Sequence, residues 1–159
     1  MIKIQPATIH HIYEIADLWC QLMQIHKAWD ADYFANVGVE DFIQVYKEDI
    51  AIYMNQSSQI VLVATDNEKV IGYCNASLVY FSNSFYNSDS HCEINDIMIA
   101  ENYQNTNVGK QLIEEIRKWA LTSKVKTMQV NVFSKNQRAL QFFNKQAFQP
   151  LFHKLELKL

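Results

Sequence analysis

The stretch Glu93-Ile-Asn-Asp-Ile-Met-Ile-Ala-Glu-Asn-Tyr-Gln-Asn-Thr-Asn-Val-Gly-Lys-Gln-Leu-Ile113 decides the fold. It opens as an apolar strand, passes through a short polar loop, and from Val108 its apolar residues recur at helical spacing: Val108, Leu112, Ile113, Ile116 and Ala120. Lys110, Glu114 and Lys118 make opposite-charge i,i+4 pairs on the other side and mark it as the solvent face. At the start of such a helix, successive backbone N–H groups point into the loop and the helix dipole adds partial positive charge, so the place suits phosphate. Gly109 lets a ligand approach the backbone, Lys110 adds a cation, and Asn107 is suited to the left-handed conformation. On spacing alone, plain helix capping is the commoner explanation of the same residues.

Working toward the N-terminus, residues 2–5 alternate apolar and polar as a strand does, and Pro6 and Thr8 punctuate, with Thr8 placed as a helix N-cap. Ile12, Ile15, Trp19, Leu22 and His26 then form one stripe of a helix to about residue 27. A second helix is predicted over 39–55. Residues 60–64, Ile-Val-Leu-Val-Ala, suit a strand covered on both faces, residues 66–69 a turn, and residues 70–81 and 92–99 two further strands joined by the polar loop 82–90. Beyond the central helix come a strand at 127–133, a short helix at 136–145 and a final strand at 151–159, where Leu151, His153, Leu155, Leu157 and Leu159 alternate with polar or aromatic residues. The predicted order is β α α β β β α β α β, an α/β chain.

With 159 residues, 49% of them hydrophobic, the chain can bury one sizeable core, and a single domain over 1–159 is expected. Three Gly and two Pro exclude collagen-like and linker classes. Fourteen basic against 17 acidic residues give a net charge of −3 with no basic run, which argues against nucleic acid or an anionic membrane surface as partner. Cys20, Cys74 and Cys92 lack any C-x-x-C pairing and the five histidines lack ligand spacing, so neither a disulfide framework nor a metal site is expected. No signal-peptide core and no apolar run of about 20 residues is present, and a cytoplasmic location is expected.

These residues resemble the GCN5-related N-acetyltransferases, whose acetyl-CoA loop reads Arg/Gln-x-x-Gly-x-Gly/Ala. Gln104-Asn-Thr-Asn107-Val-Gly109 matches every defined position except that Asn107 stands where the first Gly is usual. A second match lies downstream: the family tends to show Asn, Ala, Tyr and then Gly-Phe, and this chain has Asn136, Ala139, Phe143 and Ala147-Phe148. The resemblance implies a mixed, strongly curved α/β (α+β) sheet, flanked by helices, in which strand 93–99 splays from strand 127–133 and the pantetheine arm of acetyl-CoA lies between them. It implies main-chain contacts to that cofactor from Ile97, Met98 and Ile99. The pyrophosphate would lie against main-chain N–H groups of Gln104, Asn105, Asn107, Val108, Gly109 and Lys110. Asn136 matches an Asn that commonly touches the cofactor, and Phe143 takes the position of a Tyr that in many relatives acts as general acid.

The reaction so implied is direct attack by a primary amine, of a small molecule or a peptide, on the acetyl thioester in a ternary complex. An alkylamine with a pKa near ~10 must lose a proton first, and Glu93 is the first candidate base, Asp96 the second. Strict strand alternation puts these two on opposite faces unless a bulge intervenes. The N–H of Met98 is the expected partner of the developing oxyanion. Phe143 has no proton to give, but thiols titrate near ~8.5, so a thiolate can leave without full assistance. His26, Asp30 and Tyr33, at the end of the first helix, are candidates for the acceptor site, with capping and core packing as the structural alternative. A covalent acetyl-cysteine route through Cys92 is disfavoured, because a lone Cys in a buried strand is usually inert. The departures at Asn107, Phe143 and Ala147 motivate one rival function, a catalytically silent acyl-CoA sensor or interaction module; a homodimer stays open as the assembly.

Overall fold

A computed structural model describes residues 1–30, 39–80 and 90–157 of the chain. The elements are β1 (Lys3–Pro6), a 3-10 turn (Ile9–His11), α1 (Ile12–Trp29), α2 (Val39–Tyr53), β2 (Gln59–Asp66) and β3 (Lys69–Val79). They continue with β4 (His91–Ile99), a second 3-10 turn (Glu101–Tyr103), α3 (Val108–Thr122), β5 (Met128–Val130) and α4 (Gln137–Lys145). The five strands form one sheet in the order β1-β2-β3-β4-β5. Neighbours are antiparallel except β4 and β5, which run parallel, the pairing that a crossover through α3 permits.

Both faces of the sheet are covered, which is why residues 60–64 read as an unbroken apolar run. On one face Leu62, Ala64, Cys74, Ala76, Cys92 and Ile94 pack with Leu112, Ile113 and Ile116 of α3 and Phe143 of α4. On the other, Val61, Val63, Tyr73 and Met98 pack with Ile15 and Leu18 of α1 and Tyr46 and Ile50 of α2. The β2–β3 hairpin closes at the Asp66↔Lys69 pair, with Asn67 (φ 49°) and Glu68 (φ 67°) both left-handed, as the tight hairpin turn demands.

Two irregularities shape the centre. β5 pairs with β4 only through Cys92↔Met128, Glu93↔Gln129 and Ile94↔Val130, while β4 continues to Ile99. The strands therefore part after Ile94, as the resemblance implies. At the same point Asp96 lies opposite Asn75 and Ile94 opposite Ala76, so Asn95 is an extra, bulged residue. The bulge resets the alternation and returns Asp96 to the face that carries Glu93.

Several boundaries differ from expectation. The strand expected over 127–133 is confined to Met128–Val130, because the segment beyond it has left β4. Thr8 opens a 3-10 turn before the α-helix, its N–H donating to His11 Nδ1 at 3.0 Å. The strand expected over 151–159 is not formed in the described part, 151–157, where Leu151, Phe152, Leu155 and Leu157 are all exposed. Alternation there has no neighbouring strand edge to pair with, and a period of two has structural meaning only beside one.

Candidate active site at the parting of β4 and β5

The loop into α3 is held by the side chains of Thr106, Gln104 and Arg138. Thr106 Oγ1 donates to the Tyr103 carbonyl at 2.5 Å and accepts the N–H of Val108 at 3.4 Å. Gln104 Nε2 donates to the Ile99 carbonyl at 2.9 Å, and Arg138 of α4 donates to Gln104 Oε1. One glutamine thus ties the end of β4, the loop and α4 together. The left-handed residue of the loop is Asn105 (φ 62°), whereas Asn107 has φ −80°, which corrects the expectation for Asn107. Asn107 begins the helix through its carbonyl, which accepts from Gln111 N–H at 2.9 Å, and its side chain caps nothing. The first-turn N–H groups of Gly109 and Lys110 therefore have no capping side chain at the helix mouth.

The edge of β4 beyond Ile94 has lost its strand partner. Ala100 N–H donates to the Ile71 carbonyl at 2.9 Å, and alternation from that bond turns Met98 toward its β3 partner Tyr73. The main-chain groups of Ile97 and Ile99 then face the open edge, where Gln104 already meets the Ile99 carbonyl. The N–H groups on that edge are those of Ile97 and Ile99, with Ile97 nearer the parting, and not, as expected, that of Met98.

On the face shared with α1 and α2, Glu93 is held at both oxygens. Asn131 Nδ2 donates to Oε1 at 2.8 Å, and His91 Nε2 lies 3.3 Å from Oε2. Asp96 has a separate partner: Tyr46 O–H donates to its Oδ2 at 3.0 Å, and the Tyr46 and Tyr73 hydroxyls are 3.4 Å apart. Trp19 stacks on Tyr46 at 4.2 Å between ring centroids. Burial raises the Asp96 pKa, offset in part by the Tyr46 hydroxyl, and burial likewise pushes both tyrosines above their ordinary range.

The remaining candidates fall in two places. Asn136 is the N-cap of α4, its Oδ1 accepting the Ala139 N–H at 2.9 Å. Phe143 is buried, with its ring edge-on to Phe142 at 5.1 Å and Phe148 at 5.2 Å. His26 and Asp30 sit at the C-terminal end of α1, where the His26 ring lies 4.9 Å from Phe133 and burial lowers its pKa. A cavity of about 320 Å³ there is lined by Trp29, Asp30, Phe133, Ser134 and Lys135, and Lys135 Nζ donates to the Trp29 carbonyl at 2.8 Å. Phe133 lies two residues beyond Asn131, so the segment that holds Glu93 also walls this cavity. Tyr33 lies outside the described residues. Among the described residues no His, Cys, Asp or Glu cluster could hold a metal ion, and no helix is long and apolar enough to cross a membrane.

The profile of the acetyltransferase (GNAT) family matches residues 22–148. The chain belongs to that family. No sequence match is found among curated proteins. Solved structures agree with the GNAT fold. A mutant of the BH1408 protein of Bacillus halodurans is 21% identical with 99% of both chains covered and a TM-score of 0.87. The aminoglycoside antibiotic 6'-N-acetyltransferase AAC(6')-Ih of Acinetobacter baumannii is 15% identical, covering 100% of this chain and 98% of the other at a TM-score of 0.78. AAC(6')-Iy in complex with the bisubstrate analogue CoA-S-monomethyl-acetylneamine is 14% identical, covering 100% and 98%, at a TM-score of 0.75. The Gln104–Gly109 motif and the candidate Glu93 are named by the sequence, whereas the side chains that contact them, Asn131 and His91 at Glu93 and Arg138 at Gln104, are not. His91 alone carried a usable signal, because residues i and i+2 of a strand share a face.

Proposed function

We propose that this GNAT chain acts as one domain that transfers the acetyl group of acetyl-CoA to a primary amine, by direct attack in a ternary complex. The observation that carries the reading is the parting of β4 from β5 after Ile94, with the uncapped start of α3 at one end and the Glu93 carboxylate at the other. Acetyl-CoA fits the polar groups present there: the Ile97 main chain and the Ile99 N–H face the open edge without a strand partner, and the Gly109 and Lys110 N–H groups have no capping side chain. Gln104, Asn105, Asn107 and Val108 complete the phosphate loop, and Asn136 and Phe143 border the cofactor from the α4 side. Bound there, acetyl-CoA supplies an acyl thioester as electrophile.

Glu93 accepts the proton of the incoming ammonium, directly or through one water, so that the amine lone pair is free. The N–H of Ile97 stabilises negative charge developing on the carbonyl oxygen. Phe143 gives no proton, so the thiol leaves as thiolate and is protonated by water. Asp96 keeps its proton bond with Tyr46 and supports the wall of the site, not the base function. His26 and Asp30 line the acceptor side, and a small-molecule amine is favoured over a peptide because two of the similar structures are, by name, aminoglycoside acetyltransferases. Three free, buried cysteines suit a reducing cytoplasm, and the reading does not require a homodimer.

The test is a panel of polyamines, aminoglycosides and peptides with acetyl-CoA, following thiol release, with Glu93→Gln as control. Turnover with at least one amine, reduced about 10²- to 10⁴-fold by Glu93→Gln, is expected. Acetyl-CoA binding without turnover on any amine would replace this reading with a silent acyl-CoA sensor, and absence of binding would sink both.

A further inference from the structure

The geometry points to His91 and Asn131 as positioning residues for Glu93, the two side chains that together fix its carboxylate at the mouth of the open strand pair. This inference rests on the reading of Glu93 as the base. Both carboxylate oxygens are engaged, and by residues of different strands' segments. His91 lies two residues before Glu93 on β4, on the same face, with its side chain 8% exposed, and its Nε2 is 3.3 Å from Oε2. Asn131 is the first residue beyond β5, and its Nδ2 donates to Oε1 at 2.8 Å.

A glutamate side chain rotates about three bonds, and a base must present one lone pair within hydrogen-bond reach of the proton it takes. A partner on each of the two oxygens restricts that rotation. Asn131 adds a second consequence. It stands where the chain of β5 turns away from β4, after the last pair Ile94↔Val130, so the orientation of Glu93 is set jointly by the two strands whose separation makes the site. Displacement of a reacting group by ~1 Å can cost ~10²-fold in rate, so loss of either donor lowers turnover without touching the surface that binds acetyl-CoA. The other carboxylate on this face, Asp96, is engaged by Tyr46 and takes no part.

The experiment measures kcat and KM for acetyl-CoA, by thiol release with the most active amine of the panel, in His91→Gln, Asn131→Ala, Glu93→Gln and the two double variants with Glu93→Gln. Each single change at His91 or Asn131 is expected to lower kcat about 10-fold or more and to leave the KM for acetyl-CoA within about twofold. In the Glu93→Gln background either change is expected to add less than about twofold, because there is no carboxylate left to orient. Asn131 is exposed, so its variant keeps the test intact if replacement of the buried His91 prevents folding. Unchanged kcat in Asn131→Ala or His91→Gln, or losses that add fully in the double variants, overturns the positioning role while leaving Glu93 as base. An unimpaired Glu93→Gln, or no turnover with any amine, overturns the base assignment and this inference together.

Discussion

Glu93 and Asp96 present their carboxylates on the same face of the sheet although three positions separate them on one strand, because Asn95 between them is bulged out of the β3–β4 register. One extra residue converts an opposed pair into neighbours. The surroundings then divide them. Glu93 is held by Asn131 and His91 near the strand parting, and Asp96 is closed in by Tyr46 with Trp19 stacked behind.

The Asp96 pKa is raised by burial above its ordinary 3.8. A carboxyl that holds its proton more tightly in the folded state contributes stability that is complete below its unfolded pKa and is lost as pH rises through the raised folded value. Asp96→Asn removes that loss while keeping an oxygen for Tyr46. Thermal melts from about pH 4 to about pH 8 should show the variant gaining on the parent protein as pH rises. A difference that stays flat, or shrinks, contradicts the buried-carboxyl account.

Ala147 stands left-handed (φ 68°) at the end of α4, where Phe148 N–H returns to the Phe143 carbonyl at 3.1 Å. That helix-ending conformation ordinarily takes Gly, and a Cβ there costs about 1–2 kcal/mol. Ala147→Gly should raise stability by about 1 kcal/mol, or about 2–4 °C in Tm. Asn107→Gly, at the other position where the family motif ordinarily has Gly, should give no such gain, since Asn107 is not left-handed. Equal effects in chemical denaturation would refute the distinction.

Gly72 sits in β3 opposite Ile99, in the stretch of β4 that has no partner on its β5 side. A Cβ at Gly72 would come within 2.7 Å of Ile99 Cδ1 and 3.1 Å of the Met98 carbonyl oxygen. The isoleucine end can swing aside, but the carbonyl belongs to the strand. Gly72→Ala should cost about 1–3 kcal/mol of stability and should also weaken acetyl-CoA affinity, because the strain falls on the edge proposed to receive it. Calorimetry reads both; loss of stability with unaltered affinity would separate Gly72 from the cofactor edge.

The Cys92 thiol is fully buried and pushed up to about 12 by burial and then by the Glu93 charge beside it. It is not a thiolate at neutral pH, and a covalent acetyl-cysteine route has no nucleophile there. Cys92→Ala should retain kcat within about twofold, and iodoacetamide at about pH 8 should leave Cys92 unmodified in the native protein by mass spectrometry. Rapid alkylation of Cys92, or a kcat lost with the thiol, would reinstate that route.

What was legible in the chain follows from local physics. The helical stripe from Val108 to Ala120, the apolar run at 60–64 and the Gln104–Gly109 motif each express a period or a spacing that holds within a few residues. The strand expected at 151–159 shows the limit of such patterns: alternation is equally present in Leu151–Leu157 whether or not a neighbouring edge exists, and here it meets none. Residue type suits Asn107 to the left-handed conformation in the loop before α3, but Asn105, two residues earlier and of the same type, is the one that takes it.

By itself the sequence determined the order and most of the bounds of the elements and the family, because periodicity, capping chemistry and motif spacing are local. Only the tertiary structure decided that β4 and β5 part after Ile94, that Asn95 bulges to bring Glu93 and Asp96 to one face, and that Asn131 reaches Glu93 from a residue 38 positions away. Those outcomes depend on the register between strands. Register is settled by the packing of both sheet faces at once, against α3 on one side and α1 and α2 on the other, and no single stretch of the chain carries that information.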